Sequence, residues 1–213
     1  MLQTRLHYIK RLINEGEHQH LDFKFEISDA AKIARSLVAF ANTEGGTLLI
    51  GVNDNGSLIG IRSDEEYYMV KRAAQNYCKP EVFFTSKEWT LEGKKILEIK
   101  IPVSLKLPHR APDTQGRYKV FVRAGDKNML AAGIQIKVWK KQQAKEAVQI
   151  TFNQLVKDLL ALIESTPGLS VQELKARLNL SKYEAEELLS DLIVMRVIRM
   201  ENMGKDFVFH RKE

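Results

Sequence analysis

Apolar positions along the chain repeat with two different periods, and the change from one to the other divides the sequence. In DAAKIARSLVAFA, residues 29–41, the positions Ala30, Ile33, Leu37 and Phe40/Ala41 fall on one helical face. Ser28 is its expected N-cap, and the run Asn42 to Gly46 is its expected end. The next stretch, TLLIGVNDNGSLIGI, reads as two apolar runs joined through Asn55-Gly56, a dipeptide suited to the positive φ angles of a type I′ hairpin turn. Residues 63–77 open on Ser63-x-x-Glu66, a capping-box pattern, and repeat Val70, Ala73/Ala74 and Tyr77 until Lys79-Pro80 ends the helix. Two strands follow, VFFTSKEWTL and KKILEIKIPV, separated by Glu92-Gly93. Residues 104–117 are loop-like, and YKVFVRAG alternates as one more strand before a turn at Gly125 to Asn128.

Beyond residue 133 the strand period disappears. Residues 134–147, rich in Lys, Gln and Ala, are expected to form a helical linker. Three capping-box patterns then stand before three apolar helical repeats: Thr151-x-x-Gln154, Ser170-x-x-Glu173 and Ser181-x-x-Glu184. Only Asn179-Leu180 separates the second helix from the third, the tight break of a helix-turn-helix. VIRMENMGKDFVFH then reads as two short strands around Met203-Gly204, a wing. The expected fold class is therefore α+β: a mixed-sheet domain over residues 1–133, a helical linker over 134–150, and a small winged helix-turn-helix domain over 151–213.

Composition adds little until it is mapped. The 213 residues carry 33 Lys+Arg, 27 Asp+Glu and one cysteine, which excludes a disulfide scaffold and a disordered chain. No apolar run is long enough for a membrane span and no secretory segment opens the chain, so a cytoplasmic protein is expected. Residues 1–147 hold 24 Lys+Arg against 17 Asp+Glu, and residues 148–213 hold 9 against 10. An excess of +7 in the first part raises the expectation of a polyanionic partner.

Three groups of residues could carry chemistry. Glu17, Asp22 and Lys24 in GEHQHLDFKFE, with Asp54 after LLIGV, supply carboxylates of the type that hold Mg²⁺ or Mn²⁺ beside a phosphate-neutralising lysine. By spacing alone, charged residues that border a strand are more commonly solvated. NTEGG, with Asn42, Thr43, Gly45 and Gly46, could present backbone amides to a phosphate, although helix capping already accounts for its glycines. No P-loop pattern occurs. Cys78, late in a helix, is assigned to packing. In the C-terminal motif, the second helix sets Lys182 against Glu184, Glu186, Glu187 and Asp191, a sign that repels a phosphate backbone. Contact with nucleic acid there would fall to the wing, through Arg196, Arg199, Lys205, Arg211 and Lys212, and a dimerising role is the other reading.

The order GEHQHLDFKFE, KIARSLVAFANTEGGTLLIGVNDNGSLIGI, ILEIKIPVSLKLPHR and GRYKVFVRAGDKN resembles the Schlafen AlbA-type domain, over roughly residues 14–132. That family is described as DNA-binding and, in older naming, as a divergent ATPase. The resemblance implies an α+β domain and, in bacteria, a transcriptional regulator often followed by a winged helix. It also implies candidate roles. Eukaryotic Schlafen ribonucleases that cut structured RNA such as tRNA carry a metal-dependent Glu-x4-Glu-Phe-Lys motif and a later acid, to which Glu17, Asp22-Phe23-Lys24 and Asp54 correspond. Asp22 stands where the motif has Glu, a side chain shorter by about 1.5 Å. In those nucleases two lobes form a basic groove, which implies a homodimer for a chain with one copy.

The function expected is nucleic-acid binding, DNA favoured and RNA possible, in a transcriptional regulator. Its cations would be Lys24, Lys32, Arg35, Arg110, Arg117, Lys119 and Arg123 in the first domain, with Arg199 and Lys205 in the tail. A metal-dependent endoribonuclease using Mg²⁺ or Mn²⁺ at Glu17, Asp22 and Asp54 is the alternative, and an ATP-binding module the second alternative. No other cofactor is expected.

Overall fold

Strict alternation in two strands separates two apolar faces, and those faces explain the first half of the chain. The computed structural model describes residues 2–144, 149–166, 168–203 and 206–212. It divides into two units, Met1–Ala131 and Ala132–Glu213.

In the first unit, strands β1 (Leu21–Lys24), β2 (Gly46–Ile50), β3 (Thr85–Leu91) and β4 (Lys94–Ile101) form a sheet of order β1-β2-β4-β3. β1 runs parallel to β2, and the other pairs are antiparallel. Along β4, Leu97, Ile99 and Ile101 face one core with Leu48 and Ile50 of β2, while Ile96 faces another with Leu49. The first core packs on helix α2 (Ala30–Asn42), whose Ile33, Leu37 and Phe40 are buried, and on α3 (Glu65–Arg72) with its π-helical extension Ala73–Tyr77. Each such fully buried side chain contributes about 1.5–3 kcal/mol. The second core packs on α1 (Leu2–Glu15) through Ile9, Leu12 and Ile13. The same alternation in β1 sends Leu21 and Phe23 to the α1 side. Asp22 and Lys24 therefore project to the α2 side.

Short pairs complete the unit: β5 (Ala111–Pro112) with β6 (Tyr118–Lys119), and β7 (Phe121–Ala124) with β8 (Lys127–Leu130). The predicted strand YKVFVRAG is thus split at Val120 between two hairpins.

Several local expectations shift. α2 is capped by Asp29, which accepts from the Ala31 amide, and not by Ser28. α3 starts at Glu65, and Ser63 accepts from the Glu65 amide while Glu66 accepts from that of Arg62. The hairpin expected at Asn55-Gly56 is reduced to a turn with one bridge, Val52 to Leu58. Gly51, at φ 92°, follows β2 and accepts from the Ile59 and Gly60 amides, and a Cβ there would stand 2.9 Å from the Gly60 backbone. Consecutive positive φ angles of the type I′ kind occur instead at Glu92-Gly93 between β3 and β4. Cys78 is buried in the α2 core, which pushes its thiol up to about 12.

The second unit holds α4 (Gly133–Gln143), α5 (Gln154–Ser165), β9 (Leu169–Ser170), α6 (Val171–Arg177), α7 (Lys182–Val194), β10 (Ile198–Met203) and β11 (Asp206–Arg211). Its sheet has the order β10-β11-β9. The capping boxes at Ser170 and Ser181 form as predicted. Thr151 does not cap, because α5 starts later with Asn153 as its N-cap, and Phe152 is exposed. Asn179 turns the chain between α6 and α7 at φ 51°, a value that asparagine tolerates. Of the predicted wing tip, Gly204 and Lys205 lie outside the described residues.

The segment read as a linker behaves differently from one. Ile134 and Val138 of α4 are buried in the second unit's core with Leu189 and Leu192 of α7. Residues 145–148 of that segment lie outside the described residues. α4 also supplies Lys137, 2.6 Å from Glu187, and Lys141, 2.7 Å from Glu187 and 2.6 Å from Asp191. Lys137 holds Glu187 below the usual carboxylate range, with Lys141 adding to the effect. A depressed carboxylate stabilises the fold above its unfolded pKa and loses that contribution as pH falls through the folded value. Urea stability should therefore drop between pH 6 and pH 3.5, and Glu187→Gln should shrink that drop. An equal drop in both proteins would remove Glu187 as its source.

Among the described residues, no helix is long and apolar enough to cross a membrane.

Candidate functional site

A cavity of about 400 Å³ opens where β1, α2 and the β7–β8 hairpin meet, and Glu17, Asp22, Lys24 and Asp54 all line it. Lys32, Arg35 and Ser36 enter from α2, and Arg123 and Asn128 from the hairpin. The four residues grouped by spacing in the sequence thus share one cleft.

The strand alternation sets its floor. Asp22 is 3% exposed, and its Oδ1 lies 3.2 Å from Nη2 of Arg123, itself 2% exposed. The same Nη2 donates to the carbonyls of His18 and Leu21, at 3.2 and 3.1 Å, and Nη1 donates to Oδ1 of Asn128 at 3.2 Å. The Arg123 guanidinium also lies 5.0 Å from the centre of the Phe40 ring. Arg123 was expected to meet nucleic acid, but it is a buried counter-ion. One nitrogen, Nη2, meets the carboxylate and both carbonyls, Nη1 meets Asn128, and the buried Nε has no partner.

Asp22 Oδ2 makes no hydrogen bond, although the ammonium of Lys24 stands 2.8 Å from it. That contact is an ion pair without hydrogen-bond alignment, close enough to compensate the charge. Glu17 accepts from the Phe23 amide at 2.7 Å, with Lys24 3.9 Å away. Burial raises the Glu17 pKa, and the neighbouring Asp22 carboxylate adds to the rise.

This donor set does not fit a metal as it is arranged. Arg123 and Lys24 occupy the positive positions around Asp22, Phe23 takes one oxygen of Glu17, and Asp54 is exposed on its turn. Among the described residues, no group of three or more His, Cys, Asp or Glu is placed to hold a metal ion.

The other candidates separate. Lys32 is exposed at the cleft, and Arg35, half-buried there, donates from Nε to the Pro112 carbonyl at 2.9 Å. Arg110, Arg117 and Lys119 are not among the residues that line the cleft, and Arg117 pairs with Asp113 at 3.1 Å. In the second unit Arg199 is exposed, 3.9 Å from Glu201. Lys205 lies outside the described residues.

The glycine loop is not open to a phosphate. Asn42 is buried and accepts from the His109 amide at 2.7 Å, while its Nδ2 donates to the carbonyls of His109 and Phe121 at 2.9 and 2.8 Å. Thr43 donates to the Ala39 carbonyl and accepts from the Arg123 amide. The Gly45 amide is spent on the Phe40 carbonyl. A Cβ at Gly46 would fall 2.3 Å from the Phe40 ring, and one at Gly45 2.7 Å from the Ile101 carbonyl. The glycines permit close packing.

Sequence reasoning overlooked Ser36, Asn128 and Gln19. Asn128 donates to Ser36 Oγ at 2.9 Å, and Gln19 bonds both the Arg123 carbonyl and the Gly125 amide. Each is a single polar residue whose partner is about 90 positions or more away, and no local pattern marks it.

The unit boundary also moves the charge. Residues 1–131 hold 20 Lys+Arg against 16 Asp+Glu, and residues 132–213 hold 13 against 11. The excess is shared, because the lysines of α4 belong to the second unit. Those lysines also neutralise the acidic face of α7.

Among solved structures, the chain is similar to the DIP2311 protein from Corynebacterium diphtheriae at 21% identity, with a TM-score of 0.46, over 78% of this chain and 31% of that one. It thus spans about a third of that protein's length. It is also similar, at 20% identity and a TM-score of 0.39, to the N-terminal domain of a protein from Nitrosomonas europaea described as ATP-dependent DNA helicase RecG-related. That match covers 58% of this chain and 94% of the other. The family model described as Schlafen, AlbA_2 matches residues 17–132, from Glu17 at the cleft through the β7–β8 hairpin. This protein belongs to the Schlafen AlbA_2 family.

Proposed function

We propose that the protein binds nucleic acid through the cleft of its first unit and acts as a transcriptional regulator, with the second unit as a winged-helix module. Membership in the family supports the ligand class. The observation that carries the reading is the state of the cleft floor: Asp22 is already neutralised by Arg123 and Lys24, so phosphate contact falls to Lys32 and Arg35, which share the lining with Glu17, Glu26, Asp29, Asp54 and Asp126. The order α5-β9-α6-α7-β10-β11 supports the winged-helix reading of the second unit, and the pairing of Glu187 and Asp191 with α4 reduces the repulsion that α7 would otherwise present to DNA. One cleft per chain favours a homodimer that sets two clefts side by side.

Binding of this kind weakens as salt rises, because each phosphate contact releases counterions. Lys32→Ala should lower the slope of log K against log salt by about one and weaken binding similarly on unrelated sequences. The measurement is a fluorescence-anisotropy titration of labelled duplex DNA and tRNA across a salt series. No binding to either at low salt, or a slope untouched by Lys32→Ala, refutes the reading.

A metal-dependent endoribonuclease is the second reading, and it requires Lys24 to leave Asp22 Oδ2, which is buried without a hydrogen bond in a cavity that Glu17 and Asp54 also line. The same tRNA incubated with and without Mn²⁺ separates the two. Cleavage that is lost in Glu17→Ala would replace binding with catalysis as the main role.

A further inference from the structure

A second constellation lies outside this cleft, on the loop after β4. Ser104 is anchored there by its amide, which donates to the Ala41 carbonyl at 3.0 Å, and its Oγ accepts from the Lys106 amide at 3.0 Å. His109 is 2% exposed and is clamped on both backbone polar groups by Asn42. Its ring lies between two oxygens, with Nδ1 2.8 Å from the Pro80 carbonyl and Nε2 2.6 Å from Ser104 Oγ. A carbonyl only accepts, so Nδ1 carries the proton. The neutral ring then offers its Nε2 lone pair to the Ser104 hydroxyl, the relation of a general base to a serine nucleophile.

Ser104 borders a cavity of about 220 Å³ lined largely by apolar side chains, Val82, Phe83, Val103 and Leu105 among them. Phe83 and Leu105 are 68% and 97% exposed, so the mouth is apolar and open. Glu81 and Lys106, one charge of each sign, complete the lining with Ser104 and His109. The volume is below the usual range of drug-sized pockets, about 300–1,000 Å³, and suits a short acyl chain.

We propose that Ser104 is a nucleophile activated by His109, hydrolysing small esters whose short acyl group enters this cavity. Ser104 Oγ bonds to the ester carbonyl carbon as its proton passes to His109 Nε2, and the oxyanion forms beside Lys106. Collapse of the tetrahedral adduct breaks the bond to the alcohol oxygen, which leaves with the proton from His109. Water then gives a proton to the same nitrogen and attacks the acyl-serine. The acid departs, and the proton returns to Ser104. The balance is ester and water to acid and alcohol, with no other reactant. The Pro80 carbonyl orients the ring. Burial holds His109 below its usual pKa, and Lys106 adds to that against the Pro80 carbonyl, so the ring is a free base at neutral pH.

The test uses the full chain, a fluorophosphonate probe with mass-spectrometric mapping, and hydrolysis of p-nitrophenyl butyrate. The expected result is labelling at Ser104, with hydrolysis that falls to the buffer rate in Ser104→Ala and declines as pH drops through the depressed His109 pKa. General-base assistance contributes about 10²–10⁴-fold, so His109→Gln should slow turnover within that range. If His109→Gln does not fold, Ser104→Ala, which loses one loop hydroxyl, decides alone once its thermal unfolding matches the wild type. No labelling, labelling at another residue, or equal turnover in Ser104→Ala overturns the proposal.

Discussion

Arg123→Ala should remove about 3–5 kcal/mol from the stability of the first unit, the usual cost of deleting one member of a buried ion pair. The size follows from what is left behind. Asp22 would keep a buried carboxylate with only Lys24 beside it, and the His18 and Leu21 carbonyls and Asn128 would each lose a donor. Arg123→Lys should recover only part of the loss, since one ammonium cannot stand at the Nη2 position and also reach Asn128 as Nη1 does. Asp22→Asn in the Arg123→Ala background should be less harmful than the single losses imply, because the uncompensated charge is then gone. Urea unfolding followed by Trp89 emission, in a Trp139→Phe background, reports the first unit directly, since Trp89 donates to Glu98 within it. Independent costs for Asp22 and Arg123 would show that the pair is not coupled.

The same pair shows how far the sequence could be read. Glu17, Asp22, Lys24 and Asp54 were found from motif order and resemblance, and the fold places all four on one cavity. The alternation L-D-F-K was sufficient to send Asp22 and Lys24 to one face. What alternation could not reveal was the occupant opposite. Arg123 sits between Val122 and Ala124 in a strand pattern that permits a solvated arginine as readily as a buried one, and its partner lies 101 residues earlier.

Turn chemistry was legible only where tertiary packing left it alone. Glu92-Gly93 joins two strands because both pair in one sheet, whereas the segments on either side of the Asn55-Gly56 turn share one bridge and a close approach of Gly51 to Gly60. In the second unit, Lys and Gln content suggested a linker, and the buried Ile134 and Val138 made α4 part of the core. Two apolar positions in a polar helix carry little signal until their partners on α7 are known. His109 escaped for a similar reason. Its nearest sequence partner, Ser104, is five residues away, but Asn42 and Pro80, which fix its ring and backbone, come from distant segments.

Asn42 has the second of the two largest expected effects, and it separates a structural role for NTEGG from a phosphate-binding one. Its amide makes three buried hydrogen bonds, joining the end of α2 to the His109 loop and to β7. Asn42→Ala would leave the His109 amide and two carbonyls without partners. At about 1–3 kcal/mol for each orphaned group, and less than additive, the expected loss is about 3–5 kcal/mol. Asn42→Asp should be at least as harmful. It keeps the acceptor for the His109 amide but turns a carboxylate toward two carbonyl oxygens that had received Nδ2 donors. A loop built to bind phosphate would behave otherwise: its variants would lose ligand affinity at nearly constant stability. Chemical denaturation of both variants, read through Trp89 in the Trp139→Phe background, distinguishes these cases. Stability within about 0.5 kcal/mol of the parent, the range of an ordinary surface substitution, would refute the clamp.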